Sequence, residues 1–204
     1  MRAEHVKRAF DVVITSALLI VLSPLAALAL IAMAADMLVC ARDRGGFLYR
    51  EERISRGRTF ELLKFRTLRA DVLANAAGHA RLLEADSPNL TWAGRRILKP
   101  WYLDELPQLW NVLRGDISLV GPRPWPPALV ERQVAEGHDY RNRVAAGLTG
   151  PAQVTKGSGR AFRDLDLEYV AALERLRGWQ IVRRDLRILR RTIGVLARGE
   201  GLEY

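Results

Sequence analysis

The sequence predicts an α/β domain (α+β, mostly helical) carried behind an N-terminal membrane-embedded helix. Three observations predict it. An uncharged apolar run fills Val12 to Ala35, short strand-like runs alternate with helical patterns from Gly45 onward, and a basic amphipathic segment closes the chain. These divide the chain into residues 1–40, the membrane segment, and 41–204, the domain.

A straight helix over the apolar run would reach about 36 Å at about 1.5 Å per residue, enough to cross a hydrocarbon layer of about 30 Å. Ser23-Pro24 falls at its midpoint. Proline removes a backbone donor and crowds the preceding turn, so a break is expected there. Each half is then too short to span alone and suits a re-entrant hairpin. Lys7 and Arg8 before the run, with Arg42 and Arg44 after it, place basic residues at both ends, which favours re-entry over crossing. A cleaved signal peptide and a simple proline-kinked span are the alternatives.

Residues 45–71 read as short strands around a turn at Ser55-Arg56-Gly57-Arg58, a β-hairpin. Asp71 to Ala85, rich in Ala and Leu, reads as helix, with a breaker at Ser87-Pro88-Asn89.

In residues 103–116 (LDELPQLWNVLRGD), Leu106, Leu109, Trp110 and Leu113 recur at the spacing of one helical face. Pro107 fits a first turn, Gly115 a C′ position and Asp104 an N-cap. The acidic pair Asp104-Glu105 then sits at the helix's positive end, where Asp104 is expected to be ionised and a phosphate could also dock. An ordinary capping aspartate would read the same way.

Residues 117–127 form an apolar strand-like run followed by a proline-stiffened loop. Arg123, between Pro122 and Pro124, has its backbone restricted from both sides. A guanidinium so held can fork a diphosphate, or it is a solvated loop arginine. GLTGPAQV, residues 147–154, reads as a turn leading to a strand, and the basic TKGSGR that follows matches no phosphate-loop pattern. Arg175 to Arg198 holds eight arginines against one acid, Asp185. It reads either as a helix lying on an anionic membrane surface, with Trp179 at headgroup level, or as a core helix with a solvated arginine face.

With Lys plus Arg at 32 against Asp plus Glu at 23, the net charge of +9 favours anionic partners. The lone Cys40 can form no internal disulfide and matches no zinc spacing.

Taken together, KRAFD with the Ser23-Pro24 break, GGFLYREERISRGRTFELLKFRTL, LDELPQLWNVLRGDISLVGPRP, GLTGPAQV, LDLEYV and DLRILRRTI resemble the bacterial sugar transferases, the monotopic phosphoglycosyl transferases acting on polyprenyl phosphate. The match runs from Lys7 to about Gly201. The resemblance implies a re-entrant helix, a small catalytic domain on the cytoplasmic face of the bacterial inner membrane, and Mg²⁺-dependent two-step chemistry. UDP-sugar, polyprenyl phosphate and membrane lipid are the implied partners, and nucleic acid is not among them. Asp104 is the implied nucleophile, forming an aspartyl phosphosugar as UMP leaves, and Asp104 with Glu105 the implied metal ligands. The substrate contacts implied are Lys64 and Arg66 of the KFR segment, Lys99, Pro122, Arg123, Pro124, Gln153 and Arg160.

The chain departs from the family pattern at Gly46 and Glu51, which replace a proline and a glutamine. Lys99 replaces an arginine, and Trp101-Tyr102 a small polar pair. The stretched QVTKGSGR leaves the role of Arg160 open. A non-enzymatic membrane-surface or nucleic-acid-binding protein is the competing class, and an inactive relative the nearer rival. Homo-oligomerisation is left open.

Overall fold

A computed structural model of the chain describes residues 3–74, 83–155 and 159–198. The contacts divide it into two compact units. Unit 1 comprises Met1–Ala17, Glu52–Glu61 and Trp110–Tyr204; unit 2 comprises Leu18–Glu51 and Leu62–Leu109.

Helix α1, Ala3–Val39, runs without interruption through Pro24. Pro24 cannot donate to Ile20 O, four residues earlier. The Ser23 hydroxyl donates to that same carbonyl at 2.8 Å, so the Ser-Pro pair repairs the hydrogen bond that the proline deletes. The helix therefore persists where a break was expected. Val13, Ile20, Val21, Leu28 and Ile31 are exposed along it. Only 11% of its most apolar window is buried, although the helix is long and apolar enough to cross a membrane.

In unit 1 the root of α1 is bonded to residues far along the chain. Lys7 pairs with Asp185. The Arg8 guanidinium donates to Val112 O and Leu113 O, carbonyls in the last turn of helix α3 (Gln108–Arg114); Val112 O also accepts from Gly115 N at 3.0 Å. Asp11, buried, accepts from Ser118 Oγ at 2.7 Å and Leu119 N at 3.3 Å. Lys7 and Arg8, read from sequence as flanking charges, are thus spent on packing.

Strands β1, Leu48–Ser55, and β2, Arg58–Phe65, form the expected hairpin. Its two turn residues, Arg56 and Gly57, both have positive φ, 52° and 69°, the handedness a two-residue hairpin turn requires. Helix α2 covers Ala70–Ala74, and residues 83 and 84 are helical. The rest of the helix expected over Asp71 to Ala85, residues 75–82, lies outside the described residues. Ser87–Asn89 forms a 3₁₀ turn at the expected breaker.

Strand β3, Ser118–Val120, pairs in parallel with β4, Gly147–Thr149, in the register Ser118↔Gly147 and Val120↔Thr149. Within GLTGPAQV the strand comes first and helix α6, Pro151–Val154, follows, the reverse of the expected order. Pro151 opens α6 because its missing N–H is one a first turn does not use. Between β3 and β4 lie α4, Pro127–Ala135, and α5, Tyr140–Arg143. Helices α7, Phe162–Arg175, and α8, Trp179–Ala197, complete the unit. The fully buried Tyr169 hydroxyl lies 2.9 Å from both Val120 O and Asp185 Oδ1, tying α7 to β3 and α8.

Candidate active site

Asp104 is positioned in unit 2 by an apolar cluster. Phe65 of β2, Ala29 and Met33 of α1, Ala93 and Leu98 are buried together, and Leu103 and Leu106 pack against them on either side of Asp104. Gly94 allows this approach, since a Cβ there would stand 2.5 Å from Thr67 O. Asp104 ends up 3% exposed.

The local backbone is not the long helix read from the sequence. Leu103–Glu105 is a 3₁₀ turn, Leu106-Pro107 a further turn, and α3 begins only at Gln108. Asp104 is therefore not the N-cap of α3. The residue preceding the 3₁₀ turn, Tyr102, has φ 54°, ψ 24°, left-handed backbone that costs a non-glycine residue about 1 kcal/mol or more.

Burial pushes the Asp104 carboxyl up to about 7; Glu105 adds to the rise, while Lys99 and Lys64 oppose it. Where the sequence led to the expectation of an ionised aspartate at a helix terminus, desolvation outweighs the neighbouring ammonium groups and leaves Asp104 ionised only in part near neutral pH. Lys99 Nζ lies 3.7 Å from Asp104 Oδ2 and donates to Glu84 Oε2 at 2.5 Å. Glu84 Oε1 in turn accepts from Thr67 Oγ1 at 2.8 Å. Glu84 lies in no quoted motif and Thr67 lies in the KFRTL run, and only the fold identifies Glu84 as the partner of the lysine beside Asp104 and Thr67 as the partner of Glu84.

Lys64 is 3.7 Å from Glu51, the acid standing where the family pattern has glutamine. Arg66 is buried, and its guanidinium donates to Asp43 O, Gly46 O at 2.8 Å and Leu68 O at 2.7 Å. It staples the segment after α1 to the end of β2. Unit 2 thus contains Lys64, Arg66, Lys99, Asp104 and Glu105.

Unit 1 contains the other candidates. Pro122 and Pro124 are buried and Arg123 is half-buried. Gly147 N donates to Pro122 O at 2.8 Å and Ile54 N to Trp125 O at 3.0 Å, so the loop is anchored through its carbonyls. Gln153 is 1% exposed, its Nε2 3.4 Å from Leu148 O and its Oε1 without a hydrogen-bond partner. Arg160 pairs with Glu168 at the surface. Of the TKGSGR segment, residues 156–158 lie outside the described residues.

Among the described residues no three His, Cys, Asp or Glu side chains gather to hold a metal. Asp104 and Glu105 are adjacent oxygen donors, and Mg²⁺ commonly takes one or two carboxylates and completes its shell with substrate phosphate and water.

The family model for bacterial sugar transferases matches residues 2–199. The chain is similar to the UDP-galactose-lipid carrier transferase of Erwinia amylovora, 37% identical over 212 residues that cover 98% of this chain and 42% of that protein. It is 37% identical over 195 residues to the undecaprenyl-phosphate glucose phosphotransferase of Komagataeibacter xylinus, covering 92% and 35% respectively. It is also 35% identical over 215 residues to an exopolysaccharide production protein of Sinorhizobium fredii, covering 96% and 87%. The chain spans about two fifths of the length of the first two relatives.

Proposed function

The chain belongs to the bacterial sugar transferase family, and from that premise we propose that it transfers a sugar 1-phosphate from a UDP-sugar to polyprenyl phosphate at a membrane surface. The observation that carries the reading is the buried carboxylate of Asp104, next to Glu105 and within 3.7 Å of Lys99. A desolvated carboxylate is a better nucleophile than a hydrated one, and the ammonium keeps it partly ionised near neutral pH.

In the first step an Asp104 oxygen attacks the β-phosphorus, the bond from that phosphorus to the bridging oxygen breaks, and UMP departs with the electron pair. In the second step an oxygen of polyprenyl phosphate attacks the same phosphorus and the Asp104 carboxylate leaves. One side chain serves both substrates in turn, consistent with a single reacting centre. Glu105, half-exposed beside Asp104, is the better-placed carboxylate to hold Mg²⁺. When bound, the ion screens the charge of the diphosphate. Arg123 offers a fork to the donor phosphates.

Release of UMP from a panel of UDP-sugars, with and without polyprenyl phosphate, tests the reaction. Excess EDTA is expected to lower turnover by at least about a hundredfold, and added Mg²⁺ to restore it; undiminished turnover in EDTA removes the metal from the mechanism.

We read α1 as re-entrant because basic residues stand at both ends of its apolar run, although the helix itself is continuous through Pro24. The N-terminal end is bonded to Asp185, α3 and β3 in unit 1. Near the C-terminal end, Asp36 accepts from Ala93 N at 2.6 Å in unit 2. Each end is thus held within its own unit by residues that follow the apolar segment. On α8, Ile181, Val182, Ile188 and Val195 are buried while Trp179, Leu186 and Ile193 are exposed at seven-residue spacing, among the exposed Arg183, Arg187 and Arg190. That outward face suits anionic headgroups. A cysteine introduced by Ala3→Cys and the native Cys40 should both be labelled from the cytoplasm. Labelling of position 3 solely from outside in the otherwise native chain excludes the hairpin.

A further inference from the structure

Arg141 is a buried cation whose bonds are divided between two jobs. Its Nε donates to Gln133 Oε1 at 3.1 Å and its Nη2 to Asp166 Oδ2 at 2.9 Å, both buried partners. Gln133 Nε2 lies 3.3 Å from Tyr140 Oη, which is 3.5 Å from the same Asp166 oxygen. This frame fixes the guanidinium with α4, α5 and α7. The remaining terminal nitrogen, Nη1, donates to Arg123 O at 2.6 Å, and the guanidinium carbon Cζ lies over the Trp125 ring, 4.0 Å from its centroid. One side chain therefore grips the Pro-Arg-Pro-Trp loop at the carbonyl of Arg123 and at a ring two residues on.

We propose that Arg141 is a positioning residue for donor recognition, holding the backbone of Arg123 so that the Arg123 side chain meets the donor diphosphate in a fixed place. The proposal rests on the reading of Arg123 as a diphosphate contact. Pro122 and Pro124 restrict the backbone torsions around Arg123 but supply no donor to its carbonyl. Arg141 supplies it. A planar fork is needed, because one group must satisfy a carboxylate, an amide oxygen and a peptide carbonyl in three directions while stacking on an indole; an ammonium cannot do all four.

Arg141→Lys keeps the charge for Asp166 and removes the fork. It is expected to raise the KM for UDP-sugar about tenfold while kcat at saturating donor stays within about threefold, the signature of a lost binding geometry. Amide hydrogen exchange at Arg123 and Trp125 should quicken about tenfold, with Gly121, bonded to Thr149 O at 2.9 Å, unchanged. In an Arg123→Ala background, Arg141→Lys should add no more than about twofold in KM, because the group it positions is gone. Trp125→Leu leaves the Arg141–Asp166 pair intact and removes the stacking surface; it should give a smaller KM rise of the same kind, and it carries the test if Arg141→Lys fails to fold. An unchanged KM in a folded Arg141→Lys, or in Trp125→Leu where Arg141→Lys does not fold, overturns the positioning role, as does an Arg141→Lys effect that multiplies in full on Arg123→Ala. An unchanged KM in Arg123→Ala itself overturns the donor-contact reading, and the positioning role falls with it.

Discussion

Asp104→Asn is expected to reduce transfer at least about a thousandfold and, at the same time, to make the protein more stable at alkaline pH. The first half follows from chemistry: an amide oxygen is too weak a nucleophile to displace UMP. The second follows from burial. The Asp104 carboxyl is raised from 3.8 to about 7 in the folded protein, so the native state retains a proton that the unfolded chain gives up. Wherever the native state binds more protons than the unfolded one, stability falls as pH rises. For Asp104 that window runs from about pH 4 to about pH 7, and above it the whole cost of burying the charge is present. Asparagine never ionises. At pH 8 the variant should therefore exceed the wild type by on the order of 2–4 kcal/mol, and the gap should close toward pH 4. Lys99 keeps Glu84 as a partner, so the exchange leaves no cation stranded. UMP release and denaturant midpoints at pH 8 and pH 4 measure both halves. Appreciable turnover would eliminate the covalent route; a variant less stable than wild type at pH 8 would mean that attraction to Lys99, not burial, governs the carboxyl.

The parts of this fold that were legible in the sequence are those set by neighbours along the chain. Arg56-Gly57 between two strand-like runs forms a hairpin turn because both residues adopt positive φ, a property of the local pair. The leucine spacing from 106 to 113 misplaced the buried face as well as the backbone: Leu109 is buried, but Trp110 is 53% exposed, Leu106 and Leu113 are half-buried, and Gln108, Asn111 and Val112 are buried instead. A 3₁₀ turn, a further turn and a short helix can all keep apolar residues on one side, and periodicity does not distinguish them. The upward push on the Asp104 carboxyl was hidden for that reason. It depended on burial under Leu103 and Leu106 against α1 and β2, which no helix-end argument contains. The least legible residues are those whose partners are remote. Lys7 and Asp185 are 178 positions apart, Arg141 and Asp166 25, Lys99 and Glu84 15. Lys7 read as a membrane-flanking charge and Lys99 as a substrate contact, and nothing nearby in the chain pointed to the partner of either.

Gly147→Ala is expected to abolish folding or to cost roughly 3–5 kcal/mol, a large share of the stability of a domain this size. Gly121, the first residue of the GPRP segment, and Gly147, the first of GLTG, lie where the end of β3 meets β4. A Cβ on Gly147 would stand 2.0 Å from Gly121 N, 2.5 Å from Thr149 O and 2.6 Å from Gly121 Cα. All three are backbone atoms, so no rotamer change relieves the clash; the strands themselves must separate. Separation would stretch the bonds from Gly121 N to Thr149 O and from Gly147 N to Pro122 O, 2.9 and 2.8 Å, and so release the base of the Arg123 loop. Gly150 repeats the constraint from the far side of β4, where a Cβ would lie 2.2 Å from Gly121 O. Gly137 provides the comparison. A Cβ there meets nothing within 4 Å, and its φ of 86° is the only obstacle to a side chain. Gly137→Ala should therefore cost about 1–2 kcal/mol and leave UDP-sugar turnover near wild type. Expression and thermal unfolding of the two variants side by side measure the difference. A Gly147→Ala protein as stable as Gly137→Ala would show that β3 and β4 can part without loss, and that the glycines at their crossing are not what holds the loop in place.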